Sequence, residues 1–172
     1  DLKWLQRDAL VLARADGVVE CHRADDVAAA PVCTSDVCGP ATYVDCTTTH
    51  IATTHASGAI ALWDASSLAN DAEPLLQWAG HAHEAWIVAF DRSCPSCVWS
   101  GGDDGLLRLW DTRASGRKAA AVHARRHGRA ECNSIEFSPA AEYLYATGGA
   151  DNVVALWDER RPEHTLHAME HH

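Results

Sequence analysis

Three groupings of side chains in this sequence have the makings of chemical sites. His81, Ser100 and Asp104 are the residue types of a nucleophile, its base and the carboxylate that orients the base. Cys94-Pro95-Ser96-Cys97 has the two-residue spacing of half a zinc site. His83 and Glu84 follow His81, and Asp103 precedes Asp104. These three are proton acceptors of the kind that activate water. Zinc requires four ligands, and no second Cys-x-x-Cys is present. Residues 94–97 therefore read as a plain loop, and no metal is expected. The serine, histidine and aspartate need a further test, because their meaning depends on whether they occur once.

They do not occur once. Leu-Trp-Asp appears at residues 62–64, 109–111 and 156–158, 47 residues apart each time. Each copy closes a short apolar run, and a turn former stands six residues before each aspartate: Gly58, Gly105 and Asn152. A further run of β-branched or aromatic residues precedes each turn, so the unit contains strand, tight turn, strand. Residues 84–90 and 132–139 read as an additional strand ahead of the pair, and 74–78, 118–124 and 164–169 as one behind it. Four strands repeating at this interval and closing on Trp-Asp predict an all-β, WD40-repeat β-propeller. The expected blades are 39–79, 80–124 and 125–172, with a degenerate unit at 1–38. In that unit Gly17 marks the turn and no tryptophan follows. About four four-stranded blades are expected, as a fragment of a larger, seven-bladed ring.

Within this frame the trio has a structural reading. His81, Ser100, Asp104 and Trp110 match the hydrogen-bonded tetrad of WD blades, which satisfies buried polar groups between strands. The next unit supplies Thr147, Asp151 and Trp157, with His127 as the imidazole. The earlier unit has Thr53 and Trp63, but Ser57 stands where the aspartate belongs, which leaves that tetrad incomplete. A set that recurs with the blade period is scaffold. Any chemistry has to come from residues outside it.

Composition narrows the partners. The formal charge is −10 and no basic patch is visible, which argues against nucleic acid and against an anionic membrane surface. No apolar run reaches the length of a membrane span. The seven cysteines are odd in number and follow no framework, and no signal peptide precedes them, which suits a reduced, cytoplasmic setting. No phosphate loop, dinucleotide fingerprint or nucleophile elbow is present, and no cofactor is expected.

Two blocks, HAHEAWIVAF at 81–90 and VWSGGDDGLLRLWDTR at 98–113, go beyond the repeat. With RHGRAECNSIEFSP and ATGGADNVVALWDER, they resemble the diphthine methyl ester hydrolases, the WD-repeat proteins of diphthamide biosynthesis often called diphthine methyltransferases. The Glu84-Ala85-Trp86-Ile87 run and the doubled Gly101-Gly102-Asp103-Asp104 carry the resemblance, which extends from about Leu76 to Arg160. Leu109 departs from the glycine expected before the tryptophan, and residues 24–30 match nothing in the family. The resemblance implies hydrolysis of the methyl ester of diphthine on translation elongation factor 2, a substrate that also bears a trimethylammonium group. For that reaction the candidates are His83 or Glu84 as general base, Asp103, the member of its pair outside the tetrad, to orient water or face the cation, and Trp86 as a cation–π seat. The last unit also resembles the histone-chaperone WD proteins, which leaves a non-catalytic interaction scaffold as the alternative.

Overall fold

The computed structural model describes residues 1–6, 9–23, 39–66, 73–114, 121–124, 127–128 and 130–170. Its strands form four antiparallel sheets, each built by consecutive hairpins. The first contains β1 (Leu2–Gln6), β2 (Ala9–Ala13) and β3 (Val19–Arg23). The second contains β4 (Ala41–Cys46), β5 (His50–His55), β6 (Ala59–Asp64) and β7 (Leu76–Ala79). The third runs β8 (Ala85–Phe90), β9 (Cys97–Gly102), β10 (Leu106–Asp111) and β11 (Ala121–Ala124). The fourth runs β12 (Cys132–Phe137), β13 (Leu144–Gly149), β14 (Val153–Asp158) and β15 (Thr165–Glu170). Residues 24–30, which match nothing in the resembled family, lie outside the described residues.

The first strands face one another around an inner ring: β1 beside β4, β4 beside β8, β8 beside β12. Two hydrogen bonds stitch the second and third blades there. Thr42 Oγ1 donates to the Ala85 carbonyl, and Phe90 N donates to Asp45 Oδ2 at 2.8 Å. The apolar core lies between blades. Val11 and Val19 pack on Val44, Ile51 and Trp63, closing the first blade against the second. Ile60, Leu62 and Trp78 meet Val88, Val98 and Trp110 between the second and third. Ile87, Trp99 and Leu107 meet Ile135, Tyr145 and Trp157 between the third and fourth. The second and third sheets are apolar on both faces because each is sandwiched between two neighbours.

The repeated residues occupy equivalent places. Trp63, Trp110 and Trp157 pair across the ladder with Ile51, Val98 and Tyr145. The aspartate after each tryptophan accepts the backbone N–H two residues on: Ser66 on Asp64 at 2.8 Å, Arg113 on Asp111 at 3.0 Å, Arg160 on Asp158 at 2.9 Å. That side chain fixes the bend leaving the strand. The turn former matters for another reason. Gly105 has φ +68°, and Asn152 takes the same left-handed region at +61°. Glycine enters it freely, and asparagine is one of the few other residues that tolerates it. No helix among the described residues is long and apolar enough to cross a membrane.

Candidate active site

The three hydroxyls stand ten residues before their tryptophans, and each accepts the indole N–H: Thr53 at 3.2 Å, Ser100 at 2.8 Å, Thr147 at 2.7 Å. Each then faces an imidazole Nε2, Ser100 to His81 at 2.7 Å and Thr147 to His127 at 2.9 Å. His81 Nδ1 reaches Asp104 at 2.9 Å, and His127 Nδ1 reaches Asp151 at 3.0 Å. A carboxylate only accepts, so at His127 Nδ1 carries the proton, Nε2 is bare and the hydroxyl proton points at it; His81 Nδ1 faces Arg108 Nη1 at 2.6 Å as well as Asp104. Ser100 is completely buried, and a serine closed between sheets cannot meet a substrate. Arg108 adds an ion pair to Asp104 at 2.7 Å that the other blades lack, since Ala61 and Ala155 occupy its place. Burial pushes Asp104 up, but the His81 and Arg108 hydrogen bonds outweigh it and hold the carboxyl below its ordinary value. Burial holds the His81 imidazole low in spite of Asp104.

The tetrad of the second blade lacks its aspartate, as the sequence implies, but an imidazole is present and comes from the strand. His55, two residues beyond Thr53 on the same strand, places Nε2 at 2.9 Å from Thr53 and donates Nδ1–H to the Gly39 carbonyl at 2.9 Å. In the third and fourth blades the equivalent positions are Gly102 and Gly149. A Cβ on Gly102 would lie 2.9 Å from His81 Nδ1, and one on Gly149 would lie 2.6 Å from His127 Cγ. One volume therefore receives an imidazole from the incoming loop in two blades and from the strand itself in the other. Only a histidine where its counterparts are glycine signals this in the sequence.

Beside the tetrad of the third blade sits the group that does not repeat. The Trp86 indole N–H donates to Asp103 Oδ1, seventeen residues away in sequence. Asp103 N donates to the Glu84 carbonyl at 2.9 Å, which ties the loop entering β8 to the β9–β10 turn. The same backbone bond recurs as Ala56 to Pro40 and Ala150 to Glu131. Glu84 thus has a counterpart in Glu131, whereas Trp86 and Asp103 correspond to Thr42 and Ala56 in one neighbour and to Asn133 and Ala150 in the other. Asp103 is consequently not spare: it is committed to the indole edge. The doubled glycine follows from crowding. A Cβ on Gly101 would come within 2.6 Å of the Cys132 carbonyl of the next blade, and one on Gly102 within 2.6 Å of the Glu84 carbonyl.

His83 is exposed, and Glu84, Trp86 and Asp103 are partly exposed, on the same corner. At the opposite end of the third blade, Cys94 and Cys97 form a disulfide where a plain loop was expected. Among the described residues no group of three or more metal-ligating side chains comes together.

Comparison with known proteins follows the same division. The model of the WD domain, G-beta repeat, matches residues 72–111 and 122–158. In a crystal structure of the mitotic checkpoint complex, one chain superposes on 98% of this one, with a TM-score of 0.80 and 19% identity, and 52% of that chain is covered. The fold is that of a WD40-repeat propeller. Among curated proteins, human diphthine methyltransferase is 44% identical over 103 residues, 58% of this chain and 22% of that protein. The mouse protein of the same name is 42% identical over 83 residues, 48% of this chain and 17% of that one. The matched stretch of this propeller chain thus spans less than a quarter of either relative.

Proposed function

We propose that this WD40 propeller chain acts in diphthamide biosynthesis, hydrolysing the methyl ester of diphthine on translation elongation factor 2. The observation that carries the proposal is the Trp86–Asp103 pair. Like the Arg108–Asp104 ion pair that braces the tetrad, it has no equivalent in the second and fourth blades, but it stands outside the tetrad, on the partly exposed corner, and it lies in the EAWI and GGDDG blocks on which the resemblance rests. The similarity to proteins named diphthine methyltransferase supports the pathway.

The pair suits a substrate bearing a fixed positive charge. An indole face attracts a quaternary ammonium by about 0.5–2 kcal/mol. A carboxylate at the indole edge adds electron density to that face and a negative charge beside it. Ester hydrolysis then needs a base to take a proton from the attacking water and donors for the oxyanion that forms at the carbonyl. His83 and Glu84, two and three residues beyond the tetrad histidine, are the groups at this corner for the first task. Water attacks the ester carbonyl, the tetrahedral intermediate collapses, and methanol leaves with the proton. The carboxylate that remains is free for amidation.

Hydrolysis and methyl transfer separate cleanly by assay. Diphthine-bearing elongation factor 2 incubated with the chain should release methanol with no added methyl donor. Trp86→Ala should raise KM about tenfold, and Glu84→Gln or His83→Ala should lower kcat. Stable binding of the elongation factor without methanol release would favour the interaction scaffold. Incorporation of methyl groups from a sulfonium donor would favour a transferase. Full turnover in Glu84→Gln, His83→Ala and Asp103→Asn alike would remove this corner from the chemistry.

A further inference from the structure

The loop joining β8 to β9 lies at the end of the third blade remote from Trp86 and has no part in the function proposed above. We propose that Cys94 and Cys97 are a reversible dithiol–disulfide pair that exchanges electrons with a low-molecular-weight disulfide of the glutathione class.

The backbone is built for the bond whether or not it is made. The two Cα atoms are 5.3 Å apart, within the span that a disulfide bridges. Cys97 N donates to the Cys94 carbonyl at 2.8 Å, closing the turn without help from sulfur. The buried Asp91 anchors its start, accepting Cys94 N at 2.9 Å, Ser93 N at 2.7 Å and the Trp99 indole at 2.9 Å. Little has to move when the sulfurs join or part. Their accessibility differs: Cys97 is buried, while Cys94 is partly exposed beside the exposed Pro95. Cys94 is therefore the thiol that meets an external disulfide. The other described cysteines lack these features. Burial pushes the Cys46 thiol up to about 11 and the Cys132 thiol up to about 12, and it raises Cys21 as well.

The exchange balances. The Cys94 thiolate attacks one sulfur of the small disulfide, the S–S bond there breaks, and one small thiol departs. The Cys97 thiolate then attacks the Cys94 sulfur and expels the second small thiol. Two protein thiols lose two electrons, the small disulfide gains them, and the two protons pass to the departing thiols. The turn also forms part of the wall of a cleft of about 300 Å³ between the second and third blades, lined by Leu62, Phe90, Pro95 and Ser96.

The test is a redox titration of the whole chain in mixtures of reduced and oxidised glutathione, quenched with acid, alkylated and digested with trypsin. Cleavage after Arg92 and Arg108 yields one peptide carrying both cysteines and no other. It should carry two labels in excess reduced glutathione, none in excess oxidised glutathione, and return fully when the ratio is reversed. Two labels at every ratio, or a bond that persists in excess reduced glutathione, would overturn the proposal. Cys97→Ser should accumulate glutathione on Cys94 at least tenfold faster than Cys94→Ser accumulates it on Cys97. The opposite order would overturn the role of Cys94 as attacking thiol.

Discussion

The second and third blades fill the same interior volume in opposite ways. In the third, the loop residue His81 drops onto Ser100 and leaves Gly102 bare beneath it. In the second, His55 grows from the strand at the position of that glycine, and a backbone carbonyl replaces the aspartate. The interior therefore demands an imidazole with one bare nitrogen and one satisfied N–H, and is indifferent to the chain position that supplies it. Beyond this shared demand the third blade has the Arg108–Asp104 ion pair, which braces the tetrad, and the Trp86–Asp103 pair, which stands outside it; the second is where a function confined to one blade would be expressed.

The comparison can be broken by transplanting one arrangement onto the other. Gly102→His alone should destabilise the fold by about 3 kcal/mol, because two imidazoles cannot share the site. Adding His81→Ala should recover more than half of that, as read by a double-mutant cycle in urea. If the second change recovers nothing, the two arrangements are not interchangeable.

Removing the common hydroxyl tests its centrality. Thr53→Val and Ser100→Ala each leave a buried indole N–H and an imidazole nitrogen without a partner. Each should cost about 1–3 kcal/mol in denaturant melts. A cost confined to Ser100→Ala would mean that the second blade does not rely on its substitute histidine.

Acid probes both blades at once. Burial holds His55 and His81 below the ordinary imidazole value of 6.5. The unfolded chain therefore binds more protons than the folded one between the two values. Stability from these residues is present in full above about pH 6.5 and declines as pH falls through that value toward the lowered ones. Thermal melts from pH 8 to pH 5 should show that decline, and His55→Gln should flatten part of it.

The smallest effect on stability is expected at the corner that does not repeat. Asp103→Asn keeps an acceptor for the Trp86 indole on a partly exposed corner and should shift stability by no more than about 0.5 kcal/mol. Its removal of a charge beside the cation should raise KM several-fold in the methanol-release assay. A large loss of stability would place the pair with the scaffold instead.

Much of this arrangement was legible in the chain. A constant interval between Leu-Trp-Asp copies, turn formers at fixed offsets and hydroxyls ten residues before each tryptophan are local features, and strand period and turn chemistry are local physics. Recurrence also marked His81, Ser100 and Asp104 as scaffold. The order of residues alone sets which positions repeat, and so which kind of blade forms. Three pairings were decided only in three dimensions. His55 meets Gly39 because a strand end lies beside a loop. Trp86 meets Asp103 because the entry to β8 lies against the β9–β10 turn. Cys94 meets Cys97 because Asp91 bends the chain between strands. In the first two cases the partner is set by close approach of backbones far apart in sequence, which no single segment encodes; in the third the segment 91–97 brings the cysteines near, and the fold decides which of them faces solvent.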